Sequence, residues 1–224
     1  MAVRIALASG HHNSSGGDAY ERSQTGELCA AVAKFCRAMG MDVRVVQPDD
    51  GRGYVPGGLD SVGQTVVAWS ANGWTPDIFL ETHTEGGGGT GVFAIYPDWG
   101  PDVDEEVRDT LGPLCASEIH EATGLAMGAG GDGVMSEKQT GVGGQGSRLG
   151  IFRTTAVLSD VTVRLIIEYG AHDKQPDLAI SQRPGFYDKC GLATATAFAD
   201  FLGVEEPTDS PFISGWAAMW KALA

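Results

Sequence analysis

Three apolar, strand-like runs each deliver a side chain that can bind a metal or carry a proton. VRIALASGH ends at His11, PDIFLETH ends at His83, and VRLIIEYG carries Glu168 near its end. In an open α/β sheet the site lies outside the carboxyl ends of the strands, so three such ends point to one site. A fourth candidate, Glu27, opens the helix-like stretch after the first run. Two neutral imidazoles and a carboxylate suit zinc, which in catalytic sites takes three protein ligands and leaves a position for water. The ion lowers the water pKa to about 7 and polarises a carbonyl. A nearby carboxylate takes the water proton and passes it to the leaving amine. His11, Glu27 and His83 as ligands, with Glu168 as proton carrier, fill those roles without surplus. At a helix start the macrodipole favours an ionised Glu27, the form a metal ligand needs. No HExxH or similar local motif is present, so spacing alone leaves these histidines open between ligands and hydrogen-bonded strand-end residues.

The elements that must position these groups follow from periodicity. Residues 3–9 form a β-branched, apolar strand, and 10–20 a loop rich in turn residues. Leu28, Val32, Phe35 and Met39 repeat at helical spacing, which predicts a helix over 26–39 closed by Gly40. A second strand over 42–47 completes a βαβ-type unit, most simply parallel. Helices are expected over 59–72, 104–123, 177–181 and 186–202, and strands over 78–84, 92–96 and 161–169. Residues 124–150 hold many glycines and few large apolar side chains, the mark of a long functional or mobile loop. Residues 151–158 resume an ordered pattern. The chain divides into a catalytic domain over 1–203 and a linker with a short amphipathic tail over 204–224.

Bulk properties exclude several classes. The 224 residues suffice for one well-buried domain. The net charge of -14 argues against nucleic acid, which needs clustered Lys and Arg. No apolar run is long enough to span a bilayer, and MAVRIALASG is better explained as a buried strand than as a signal peptide. The expected place of synthesis is therefore the cytoplasm, with action elsewhere after release left open. Cys29, Cys36, Cys115 and Cys190 form no CxxC pair, so buried reduced thiols are expected.

Four segments together resemble the zinc-dependent N-acetylmuramoyl-L-alanine amidases called type 3. They are Ser9-Gly10-His11, Gly26-Glu27-Leu28, the run from Pro76 to His83, and Gly150-Ile151-Phe152-Arg153 followed by Leu165 to Gly170. Their order and rough spacing match over residues 3 to 202. The resemblance implies a single α/β domain with a central mixed, mostly parallel sheet flanked by helices. It implies zinc held by His11, Glu27 and His83, and Glu168 as the catalytic carboxylate. The substrate would be bacterial peptidoglycan, cut between N-acetylmuramic acid and the L-alanine of the stem peptide. A member without a signal peptide resembles a phage or prophage endolysin. The departures are Glu81 and Glu85, where the family has Ser and Asn around its strand histidine, and His12, where Gly is usual.

Other residues complete the candidate site. His12 is expected to contact the loop or substrate, Glu81 and Glu85 to raise the negative charge beside the metal, and Arg153 to orient groups or pair with a buried acid. His172 stands four residues past Glu168, within reach of an oxyanion or solvated. Glu21 is a weaker ligand candidate than Glu27 because it falls in the expected loop. GVGGQG fits GxGxxG on paper but neither follows a strand nor opens a helix. The alternatives to the amidase are a zinc peptidase on another amide, suggested by Glu81 and Glu85, and a non-catalytic wall-binding protein of the same fold.

Overall fold

The structure, a computed structural model, describes residues 2–11, 19–57, 60–86, 89–99, 102–141 and 149–204. All of the expected 204–224 linker and tail after residue 204, His12 and most of GVGGQG lie outside the described residues. Eight strands and six α-helices are assigned among them. The strands are β1 Arg4–Ser9, β2 Asp42–Val45, β3 Ile78–Glu85, β4 Val92–Tyr96, β5 Asp98–Trp99, β6 Asp102–Val103, β7 Val134–Ser136 and β8 Val163–Ala171. The helices are α1 Ala19–Ala38, α2 Asp60–Ala71, α3 Gly112–Thr123, α4 Gly150–Thr154, α5 Asp177–Ser181 and α6 Phe186–Leu202.

One six-stranded sheet runs β2-β1-β3-β8-β4-β7. The pairs β1–β2, β1–β3 and β3–β8 are parallel, β4 lies antiparallel to β8, and β7 is parallel to β4. The expected mixed, mostly parallel sheet is therefore present. The central strands are apolar on both faces because helices cover both. Leu28, Val32 and Phe35 of α1, Cys115 and Ile119 of α3, and Cys190 and Phe198 of α6 bury one face with Ile5, Leu7, Leu80 and Leu165. Val62 and Val66 of α2 and Ile151 and Phe152 of α4 bury the other with Ala6, Ala8, Phe79 and Ile166. All four cysteines are buried and free.

Two of the differences from expectation concern α1 and residues 124–150. First, α1 begins at Ala19, seven residues before the expected start. The apolar stripe from Leu28 onward marks where the helix faces core; its first two turns face the site and carry polar residues instead. Second, residues 124–150 contain β7 and a 3-10 turn over Glu137–Thr140. A three-residue strand carries too little alternation to be seen in sequence; its pairing with β4 defines it.

Candidate active site

The carboxyl ends of β1, β3 and β8 lie side by side, as the parallel pairing requires. His83 and Glu168 are direct partners across β3 and β8, so their side chains rise from the same face about 4.8 Å apart at the backbone. On the other side, β1 ends at Ser9. Gln47 clamps that end, donating to Ser9 O at 2.8 Å and accepting from Ser9 N at 3.1 Å. Gly10 N then donates to Thr82 O at 2.9 Å, extending the pairing by one residue. His11 follows with φ 60. Left-handed backbone is uncommon for a residue with a side chain, and it turns His11 out of the strand direction. The His11 and His83 rings meet edge to face, centroids 4.9 Å apart.

Gly10 makes this approach possible. A Cβ there would lie 2.5 Å from His83 Cε1 and Nε2. No side chain fits between the two histidines, so this glycine is required by close packing rather than by its own torsions.

The carboxylate that completes the group is Glu21, not Glu27. One ligand atom from each of His11, Glu21 and His83 falls within 4.8 Å of the others. Glu21 Oε1 lies 3.2 Å from His11 Nε2, and its side chain is only 7% exposed. Thr25, one turn further along α1, fixes this geometry. Its hydroxyl donates to Gly10 O at 3.0 Å, and Thr82 Oγ1 donates to Thr25 O at 2.9 Å. Glu27 is six residues from Glu21, which is roughly 240° around a helix of 3.6 residues per turn. It therefore faces away. Arg52 holds it instead through two hydrogen bonds of 2.8 Å, on a side chain 41% exposed. Those bonds keep the Glu27 carboxyl below its ordinary pKa. The structure brings Glu21, not the expected Glu27, beside His11 and His83, and leaves Glu27 on another face of α1 paired with Arg52. The signal for Glu21 was present, because it stands seven residues before Leu28 on the same helical stripe.

The electrostatics of the cluster are those of buried, opposed charges. Burial alone would lower the His83 pKa. The Glu81 carboxylate, 3.5 Å from Nε2, and the fields of Glu81, Glu168 and Glu21 outweigh it and raise the imidazole to about 9. Burial raises Glu168 to about 7; His83 pulls it down, while Glu85, Glu21 and Glu81 push it up. His11 Nδ1, His83 Nε2 and Glu168 Oε2 are buried with no hydrogen-bond partner among the described residues. Three orphaned polar atoms in one cluster are costly unless something else engages them.

The remaining candidates sit around this centre. Glu81 shares the His83 face of β3, two residues earlier, and Glu85 ends the strand. His172 reaches back to β3: its ring Nδ1 is 3.2 Å from Thr84 Oγ1, and its backbone N–H donates to Glu85 O at 3.1 Å. Arg153 on α4 pairs with Asp60 on α2, and both side chains of that pair are exposed.

No protein-family model matches the sequence, and no curated protein matches it either. Solved structures do. An N-acetylmuramyl-L-alanine amidase of Mycobacterium abscessus, in its apo form, superposes with a TM-score of 0.66 at 16% identity, covering 90% of this chain and 100% of that one. The fold is that of these amidases. The N-acetylmuramoyl-L-alanine amidase of Clostridium difficile gives 0.62 at 15% identity, over 91% of this chain and 98% of that one. The catalytic domain of an endolysin targeting the same species gives 0.54 at 15% identity, over 92% and 99%.

Proposed function

We propose that this protein is a peptidoglycan hydrolase that cuts the amide between N-acetylmuramic acid and the L-alanine of the stem peptide. The observation that carries this is the meeting of His11, His83 and Glu168 at adjacent strand ends with Glu21 from the first turn of α1. The fold, shared with amidases of that specificity, supports it. Likeness to an endolysin's catalytic domain supports a wall-lysing role of the phage type. No helix among the described residues is long and apolar enough to cross a membrane.

The donor set fits zinc: two imidazoles and one carboxylate is a known catalytic combination, and the buried, unpartnered His11 Nδ1 and His83 Nε2 are atoms in need of a partner. His11, Glu21 and His83 would hold the ion. When bound, it supplies Lewis acidity toward the substrate carbonyl and acidifies the attacking water. Glu168 is the proton carrier. Buried on β8 directly across from His83, it accepts a proton from water and then returns it to the leaving nitrogen. Gly10 keeps the two histidines in contact. Glu85 and His172, at the ends of β3 and β8, are assigned to substrate contact.

The test is release of stem peptides from purified peptidoglycan, with and without a chelator, then with zinc restored. Loss and recovery of release, with new L-alanine amino termini, is expected. Release indifferent to the chelator from zinc-free protein would refute the metal site. Cleavage confined to bonds within the peptide would refute the substrate bond.

A further inference from the structure

Glu168 stands where the regular pairing of β8 ends on both sides. Toward β3 it faces His83, and the register shifts between His83 and Glu85. Toward β4 it faces Phe93, and the pairing stops one residue later, at Tyr169 opposite Val92. Gly170 then turns with φ 89. A Cβ there would meet Leu125 at 2.8 Å, so both torsion and space demand glycine. Beyond this point the N–H groups of Gly91 and Ala171 go to a side chain instead of a strand. Asp177, in the first turn of α5, accepts both at Oδ2, from Gly91 at 2.5 Å and from Ala171 at 2.9 Å. Asp177 is 1% exposed, and its Oδ1 is buried with no hydrogen-bond partner among the described residues. An orphaned carboxylate oxygen is a cost; the bridge made by the other oxygen offsets it. The next N–H along, that of His172, returns to Glu85 O, so the bridge sits at the root of the site's wall.

We propose that Asp177 is a positioning residue for the reaction: by joining the start of β4 to the end of β8, it holds Glu168 at its place opposite His83. The role rests on the amidase reading above, in which Glu168 carries the proton. Element ends open more readily than their middles. Without the bridge, opening that begins at Gly91 and Ala171 reaches Glu168, three residues away. A misplacement of about 1 Å at a reacting group costs on the order of 100-fold in rate. His11, Glu21 and His83 are held by other elements, the end of β1, α1 and β3. Loss of the bridge therefore separates the rate from the metal site: the proton carrier shifts while the three ligand residues stay.

The experiment uses the full chain, as wild type, Asp177→Ala, Asp177→Asn, Glu168→Gln and the double variant Asp177→Ala/Glu168→Gln. Four quantities are measured: amide hydrogen exchange at Gly91 and Ala171, the thermal midpoint, zinc affinity by chelator competition, and kcat on a soluble muramoyl-peptide. Asp177→Ala should speed exchange at both amides and lower kcat by about 10- to 100-fold, with zinc affinity within about threefold of wild type. Asp177→Asn keeps an acceptor oxygen in place and should restore both protection and rate. In the Glu168→Gln background, Asp177→Ala should cost less than about threefold more, because residues that act as a unit are not additive. A residue that only stabilised the fold would lower the thermal midpoint and cost the same in either background. If Asp177→Ala does not fold, Asp177→Glu, which displaces the carboxylate by one methylene, takes its place in every comparison. Faster exchange with an unchanged kcat, or the full loss of rate repeated in the Glu168→Gln background, would overturn the proposal and leave the amidase reading standing. A folded, zinc-loaded wild type that releases no stem peptide would overturn the amidase reading, and this role of Asp177 with it.

Discussion

Gly10→Ala probes the whole arrangement with one methyl group. The added Cβ would lie 2.5 Å from His83 Cε1 and Nε2 and 2.7 Å from Cδ2, where ordinary contact begins at 3.4 Å. The ring must retreat by roughly 1 Å to restore contact distance. It has little room: His11 meets it edge to face, and Glu81 stands 3.5 Å from Nε2. Gly10 is not among the positive-φ residues, so the backbone itself accepts alanine. Overpacking of this kind costs about 1–3 kcal/mol. A 1 Å misplacement at a reacting centre costs on the order of 100-fold in rate. Gly10→Ala should therefore lower the thermal midpoint moderately and cut peptide release about 100-fold, with a loss of zinc affinity on the order of 10-fold or more. Calorimetry, zinc competition and release of amino groups from purified walls measure the three. Zinc affinity and release both within threefold of wild type would show that His83 tolerates the methyl, and the close-packing argument for Gly10 would fail.

Glu168→Gln should reduce release by roughly 100- to 10,000-fold, the usual worth of a general base, without loss of zinc or fold; near-normal turnover would remove Glu168 from the mechanism. Glu21→Gln should weaken zinc binding by at least about 10-fold. Glu27→Gln should leave binding intact and cost at most about 1 kcal/mol, as an exposed ion pair does; the reverse ranking, in zinc titration, would restore Glu27 as the ligand. The metal-free protein should lose stability as pH rises. Glu168 is raised from 4.5 to about 7, so folding becomes less favourable between those values. His83 is raised from 6.5 to about 9, so its contribution is complete below 6.5 and lost as pH rises through 9. Urea denaturation with chelator present should follow this course, and Glu168→Gln should flatten its lower part; stability that climbs from pH 5 to pH 9 would contradict the sign of both shifts.

Much of this protein is legible in its sequence, because local rules act there. The apolar runs before His11, before His83 and around Glu168 are strands because β-branched and apolar residues cover both faces. A parallel sheet then brings their carboxyl ends together. Burial of the four cysteines follows in the same way from their place among apolar neighbours.

What the tertiary structure decided lies where long-range contacts outrank local pattern. The helical stripe puts Glu21 in line with Leu28, but only tertiary contacts, Thr25 bridging Gly10 and Thr82, hold that part of α1 against the strand ends and bring Glu21 rather than Glu27 to the histidines. The antiparallel insertion of β4 beside β8, and the pairing of three-residue β7 with β4, likewise depend on partners distant in the chain. Arg52, not the helix dipole, decides the fate of Glu27, since a bidentate guanidinium 2.8 Å away outweighs the partial charge of a helix end. Sequence determined which groups are available at the strand ends. The 3.6-residue turn of α1, anchored by its tertiary contacts, determined which carboxylate reaches them.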